Sequence, residues 1–165
     1  MSGGVDVALV RRAQPGDAGD LLALVGEHVR AERADVAVPA DLAARLRRWT
    51  VQGRVEVFVA APVGPGPGGP EPVGPGLLGY ATLTRDVATW TGEEFGHLDC
   101  LFVREALRGQ GIGALLLAHV LDRCRDLGLA GCQWQTPSWN SRAIAFYERH
   151  GAVHQTKERF TISLG

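Results

Sequence analysis

The chain has 165 residues, of which 45% are hydrophobic and 21% charged, with a formal net charge of −1. This length suits a single domain, spanning residues 1–165, that buries its own core without a disulfide or a metal. The near-neutral charge argues against nucleic-acid binding, which needs clustered Lys and Arg. Three cysteines without CxxC spacing (Cys100, Cys124 and Cys132) argue against a zinc site and a disulfide framework.

Two further sequence features bear on the cellular compartment of the protein. No run approaches 18 consecutive apolar residues, and no charged segment followed by an apolar run opens the chain. We therefore expect a cytoplasmic protein with no membrane partner, whose cysteines stay reduced.

The N-terminal half alternates apolar runs of strand and helix character. Its predicted elements are a strand at 7–12, helices at 15–29 and 39–49, and strands at 55–61 and 77–84. Between the last two strands, 12 of the 15 residues from 62 to 76 are Gly or Pro. Such a segment cannot bury a core, so we predict a flexible, lengthened hairpin loop there.

The C-terminal half continues the alternation after a turn at 91–94. The predicted elements are a strand at 97–104, a helix at 111–127, a strand at 131–136, a helix at 140–150 and weak strands at 153–157 and 160–164. The order predicts a mixed α/β domain around one sheet.

A glycine-rich turn, Arg108-Gly-Gln-Gly-Ile-Gly113, joins a strand to a long apolar helix. Glycine lets a ligand approach the main chain, and the first helical turn has unpaired N–H groups and a positive dipole. A pyrophosphate suits such a site. Arg108 could add charge-assisted hydrogen bonds to it.

Other interpretations of this turn stay open on its spacing alone. A Walker A loop would need Gly-Lys-Ser/Thr, which is absent. Gly109, Gly111 and Ala114 formally satisfy a dinucleotide fingerprint, yet the next strand, Gln133 to Thr136, lacks the acidic residue expected there. A tight turn without a ligand is the third interpretation.

A second motif runs from Trp139 to Ala152. Asn140 stands where a helix should begin and could be its N-cap. Tyr147 follows seven residues later, which on a helix leaves the two side chains only about 20° out of alignment. Tyr147 alone could equally be a core tyrosine.

Together the two motifs resemble the GNAT superfamily of N-acetyltransferases, and most closely its diamine and spermidine/spermine N-acetyltransferase-like branch. The motifs follow in that branch's order: Ala88-Thr-Trp-Thr-Gly92, Leu98-Asp-Cys-Leu-Phe-Val103, Arg108 to Gly113, and Trp139 to Ala152. The resemblance implies a GNAT fold: a twisted, mostly antiparallel sheet of six or seven strands with flanking helices and a V-shaped splay between the fourth and fifth strands.

The resemblance also implies the cofactor and its contacts. Acetyl-CoA is expected in the splay, with its pantetheine arm on the strand end and its pyrophosphate on the glycine turn. No metal is expected. The residues implied in cofactor binding are Leu101, Phe102, Val103, Arg108, Gly109, Gln110, Gly111, Ile112, Gly113, Asn140 and Tyr147.

The implied reaction moves an acetyl group to a primary amine of a small molecule by direct attack through a tetrahedral intermediate. Tyr147 would protonate the departing thiolate, and Asp99 would take the amine proton or only bind the ammonium group. Residues 97 and 99 share a strand face if alternation holds, which makes His97 a candidate partner for Asp99. Candidate substrate contacts are Trp90, Glu94, His97 and Trp139.

This chain departs from the branch at several positions. Cys100 replaces the second acid of an acidic pair, and Ser141-Arg142 replaces Glu-Pro after the asparagine. If these positions touch the substrate or a neighbouring subunit, an arginine there repels a polyamine and tolerates an acidic or neutral group, so the acceptor stays open. A protein or peptide N-acetyltransferase and an acyl-CoA-binding module without turnover remain alternatives. A homodimer is expected from the resemblance.

Overall fold

The computed structural model describes residues 8–63 and 76–164. Most of the predicted Gly/Pro-rich loop therefore lies outside the described residues. The chain divides into two compact units, Met1–Gln135 and Thr136–Gly165. In the described ranges, no helix combines the length and the apolar character needed to cross a membrane.

The first unit is built on a five-stranded sheet in which neighbours in sequence are neighbours in space. The first three strand pairs are antiparallel and the last is parallel, so the sheet is mostly antiparallel as expected. The strands are β1 (Ala8–Arg12), β2 (Val55–Pro62), β3 (Gly79–Ala88), β4 (Glu93–Val103) and β5 (Cys132–Gln133).

Helices cover both faces of this sheet. They are α1 (Ala18–Ala31), α2 (Leu42–Val51) and α3 (Ile112–Asp126) in the first unit, and the second unit contains α4 (Ser141–Arg149). Leu21 and Leu24 of α1 share a buried cluster with Val57 and Val59 of β2. Phe58 points to the opposite face, where its ring lies 4.9 Å from His119 of α3.

The fourth and fifth strands diverge, as the resemblance implied. They pair at only two positions, Gly96 with Cys132 and His97 with Gln133. From Leu98 to Val103, β4 has no ladder partner on that side among the described residues. The fifth strand is therefore shorter than the predicted 131–136, because its pairing ends where the splay begins.

The described residues contain five strands rather than six or seven. The predicted strands at 153–157 and 160–164 are absent, and these residues are irregular. Phe160, Ile162 and Leu164 alternate as in a strand but are 83–96% exposed. An alternating pattern predicts extended backbone, but a strand also requires a neighbouring edge to bond to.

A β-bulge interrupts the pairing of β3 with β4. Thr82 lies opposite Cys100 and Leu83 opposite Leu98, so Asp99 is the extra residue without a partner on β3. The bulge shifts the alternation of side chains, because Cys100 and Phe102 now join the α1 cluster. It thereby sets Asp99 apart from the regular ladder at the mouth of the splay.

Candidate functional site

The glycine turn has the backbone that its sequence predicted. Gly109 and Gly111 adopt φ values of +85° and +84°, which disfavour any residue with a Cβ. No atom lies within 4 Å of a Cβ built at either position, so the space above the turn is open. Gly111 is the N-cap of α3, and no side chain caps that end.

This geometry fits a pyrophosphate. The first N–H groups of α3, those of Ile112, Gly113 and Ala114, have no intrahelical acceptor. The first intrahelical bond at this end is from Leu115 N to Gly111 O, at 3.1 Å. Ile112 is 1% exposed and anchors the first turn in the core. Rigid donors at a positive helix end, beneath open space, are suited to bind a polyanion.

Arg108 is held over the end of β4. Its Nε donates to Val103 O at 3.0 Å, and its guanidinium carbon lies 5.3 Å from the centre of the Phe102 ring. The remaining guanidinium N–H groups can therefore reach an anion while the side chain keeps a fixed position. Gln110, the other polar residue of the turn, is exposed.

The free edge of β4 presents main-chain groups to the splay. Cys100 N donates to Thr82 Oγ1 at 3.1 Å and Arg104 N donates to Leu78 O at 3.0 Å, both toward β3. Since main-chain groups alternate along a strand, those of Leu101 and Val103 point away from β3. This is the edge predicted to bind the pantetheine arm.

Asp99 is exposed at the bulge. Its Oδ2 lies 3.8 Å from the Cys100 thiol. Burial, and then the Asp99 charge, raise the pKa of that thiol. In the described part of the chain, no hydrogen bond or ion pair joins His97 to Asp99, and His97 lies opposite Thr84 on β3.

Two residues that the sequence analysis missed, His28 and Tyr80, lie in the core against Phe102. The His28 Nδ1 of α1 is 2.8 Å from the Tyr80 hydroxyl of β3, and its ring stacks on Phe102 at 4.9 Å. Burial lowers the pKa of His28 to about 4, aided by the positive charge of Arg108 and opposed by Asp99. Burial, and then the neighbouring Cys100, raise the pKa of Tyr80. The available signal was a histidine on the apolar stripe of α1, four residues after Leu24.

A pocket of about 300 Å³ lies between α1 and the end of β4. Its charges are mixed. Glu27 is paired with Arg104, whereas Arg30 and Glu105 make no ion pair with each other or with other described residues. The lining residues are Glu27, Arg30, Ala31, Phe102, Glu105 and Arg108.

The second unit carries the asparagine and tyrosine motif on α4. Asn140 is the N-cap, and its Oδ1 accepts a hydrogen bond from Ala143 N at 3.1 Å. The Tyr147 ring packs edge-on against Phe146 at 5.1 Å. Trp139, which precedes the cap, is half exposed.

Two predicted substrate contacts lie at the β3–β4 hairpin. Trp90 is 100% exposed in the turn between these strands, where Gly92 N bonds Ala88 O at 2.7 Å. Glu94 is exposed near the start of β4 and accepts from Ala130 N through its main chain. Neither side chain joins the cluster around Asp99, and their substrate roles stay predictions.

Similarity to known proteins agrees with this geometry. Residues 44–152 match the model of the Acetyltransferase (GNAT) family. A thialysine N-epsilon-acetyltransferase of Sus scrofa is 28% identical over 90% of this chain and 86% of its own length. An L-ornithine N5-acetyltransferase of Arabidopsis thaliana is 31% identical over 46% of this chain and 33% of its own length.

A solved structure gives the same answer for the fold. An aminoglycoside acetyltransferase from an uncultured soil metagenomic sample superposes with a TM-score of 0.75, at 16% identity, over 97% of this chain and 98% of the other. The family match, the splayed strands and the glycine turn agree with one another. The chain belongs to the GNAT acetyltransferase family and is an acetyl-CoA-dependent N-acetyltransferase.

Proposed function

We propose that this enzyme acetylates a primary amine of a small molecule, by direct attack of the amine on the acetyl carbonyl through a tetrahedral intermediate. The observation that carries the proposal is Asp99, an exposed carboxylate set out of the ladder by a bulge, beside the unpaired edge of β4. A carboxylate there can hold an ammonium group and receive its proton next to the strand that binds the acetyl donor.

The chain's own groups have separate tasks in this reaction. Acetyl-CoA supplies the acetyl group as a thioester. The main-chain groups of Leu101 and Val103 would hold its pantetheine arm, and the N–H groups of the 109–113 turn its pyrophosphate. Asn140 would bind the pantetheine end, and Tyr147 would protonate the thiolate.

For the acceptor we propose an amino acid with a side-chain amine. The names of the pig and Arabidopsis relatives describe transfer to a side-chain nitrogen of such a molecule. The pocket beside Phe102 supports this class, since the unpaired Arg30 and Glu105 offer a zwitterion one charge of each sign. Arg142, where the branch has proline, counts against a polyamine.

A panel of amines tests the proposed function. Purified protein is mixed with acetyl-CoA and, separately, L-ornithine, thialysine, L-lysine, putrescine, an aminoglycoside and a lysine-containing peptide. We expect thiol release to be fastest with the amino acids. Preference for the peptide would overturn the small-molecule assignment. Thiol release from none of them would favour a binding module without turnover.

We also propose that the chain forms a homodimer through its C-terminal segment. Phe160, Ile162 and Leu164 present an alternating apolar row to solvent, which a second copy would cover by strand pairing. A reducing compartment such as the cytoplasm remains our expectation, because Cys100, Cys124 and Cys132 are all free thiols.

Light scattering coupled to size exclusion tests the dimer. We expect the mass of two chains for the wild type and of one chain for the double variant Phe160→Asp, Ile162→Asp. Val51→Asp, at an apolar position on α2 that is 81% exposed, is the matched control and should stay dimeric. A monomeric wild type would contradict the proposal.

A further inference from the structure

Thr82 is a buried polar residue in an apolar part of β3. It is 6% exposed, and its neighbours Tyr80, Ala81 and Leu83 are 2% exposed or less. A buried hydroxyl costs stability unless it has a hydrogen-bond partner. The Thr82 Oγ1 has one, since it accepts a hydrogen bond from Cys100 N at 3.1 Å. A valine is also β-branched and would pack here without needing a partner, so the hydroxyl calls for a role other than packing.

The partner of this hydroxyl lies at the β-bulge. Thr82 is opposite Cys100 and Leu83 is opposite Leu98, which leaves Asp99 as the extra residue of β4. In an uninterrupted antiparallel ladder, an N–H that points toward the neighbouring strand bonds a main-chain carbonyl. At Cys100 this N–H donates to a side-chain oxygen. The Thr82 hydroxyl therefore binds the main chain of β4 directly after the residue that the bulge displaces.

This hydrogen bond selects which residue of β4 is displaced. If Cys100 were the extra residue, Asp99 would lie opposite Thr82 as part of the ladder. Cys100 would then lose its place against the α1 cluster, because side chains of a strand alternate between the two faces of the sheet. The Thr82 hydrogen bond and the packing of Cys100 both oppose such a shift, and they act on the same residue.

The position of Asp99 depends on its main chain more than on its side chain. The Asp99 side chain is exposed, so core packing does not hold it in place. The Thr82 side chain, by contrast, is buried and β-branched, and its restricted χ1 fixes the hydroxyl oxygen relative to the main chain of β3. A rigid acceptor on β3 thus anchors the segment of β4 that carries an exposed carboxylate.

We propose that Thr82 is a positioning residue of the acetyl transfer. Its hydroxyl holds the bulge of β4 and thereby places the Asp99 carboxylate beside the free strand edge, where the acceptor amine meets the acetyl group. This inference rests on the proposed function. Thr82 touches none of the reacting atoms and acts through Asp99. A misplacement of about 1 Å at a catalytic group is enough to slow an enzyme strongly.

The test is kcat with the best acceptor of the amine panel, measured for Thr82→Val and Thr82→Ser. Valine keeps the β-branched shape and removes the acceptor oxygen, whereas serine keeps the oxygen. We expect Thr82→Val to lower kcat about tenfold and to leave the acetyl-CoA affinity within about twofold, because the pyrophosphate turn is untouched. Thr82→Ser should keep most of the wild-type rate. Equal losses in the two variants would overturn the proposal.

Thr84→Val is the matched control. Thr84 lies two residues farther along β3, opposite His97, and no hydrogen bond joins its hydroxyl to β4 in the part of the chain that the structure describes. Removal of that hydroxyl should leave kcat at the wild-type value. A loss as large as that of Thr82→Val would mean that any threonine on this strand gives the effect, and the proposal would be wrong.

A double-mutant cycle with Asp99→Asn tests whether Thr82 acts through Asp99. The cycle is measured at about pH 9.5, where part of the amine is neutral without a base and turnover does not depend on the carboxylate alone. Thr82→Val should slow the Asp99→Asn enzyme by less than about twofold, since the group that Thr82 positions is absent. A full tenfold loss in that background would refute the action through Asp99.

Hydrogen exchange of the Cys100 amide, followed by NMR, gives a readout without turnover. We expect exchange at least about tenfold faster in Thr82→Val than in the wild type, Thr82→Ser and Thr84→Val. If the wild type turns over and Thr82→Val matches it in kcat and in exchange, this inference is wrong and the proposed function stands. If the wild type releases no thiol with any amine, both fall.

Discussion

Replacing Gly111 with tryptophan is expected to lower the affinity for acetyl-CoA by about 100-fold or more. The indole would occupy the open space above the turn and keep the pyrophosphate from the N–H groups of α3. Loss of two charge-assisted hydrogen bonds at about 1.5 kcal/mol each corresponds to that factor. Isothermal titration with acetyl-CoA measures it.

Gly128→Trp is the matched control for this experiment. Gly128 follows the other end of α3, also has a positive φ (+67°) and also faces open space. Both variants should lose roughly 1–2 kcal/mol of stability, because a side chain is strained at such a φ. Only Gly111→Trp should lose the cofactor. Equal acetyl-CoA affinity in the two variants would refute the phosphate-binding role of the turn.

Tyr147→Phe is expected to lower kcat about 100-fold, because the thiolate would leave without a proton donor. The substitution removes one hydroxyl and keeps the ring that packs on Phe146, so the loss should fall mainly on kcat rather than on the folded population. The pH profile gives a second readout. The wild-type rate should fall at high pH as the acid ionises, and Tyr147→Phe should not show this fall.

Tyr80→Phe supplies the comparison, since Tyr80 is the other of the chain's two tyrosines. We expect a smaller loss of kcat there, with an unchanged fall in rate at high pH. If Tyr147→Phe retains the wild-type rate, Tyr147 is not the acid. The thiolate would then leave protonated by water or by another group.

The local elements of the fold were predictable because each had a signal within its own residues. The apolar period of α3 and the glycines before it predicted a strand, a tight turn and a helix N-terminus, and all three are present. The mostly antiparallel sheet and its splay followed from the resemblance. The hairpin of β3 and β4 is longer than predicted, because ladder pairing continues to Ala88 and Glu93 despite polar residues.

The two predicted C-terminal strands and Trp90, a predicted substrate contact, show the limits of prediction from local sequence. The alternation of Phe160, Ile162 and Leu164 predicted a strand, yet strand formation depends on a free edge supplied from elsewhere. Trp90 stood within a motif of the resembling branch, yet its side chain is wholly exposed in a hairpin turn. A second copy of the chain could cover the 160–164 segment or Trp90, and such a contact depends on the oligomeric state and not on the local sequence.

By itself, the sequence determined the family, the cofactor class and the glycine turn. These depend on short contiguous motifs whose backbone conformation is set by neighbouring residues. Only the tertiary structure decided the surroundings of Asp99. The bulge that displaces it depends on register with β3, and His28 reaches Tyr80 from 52 positions away. Contacts over such separations arise from packing, which no local pattern encodes.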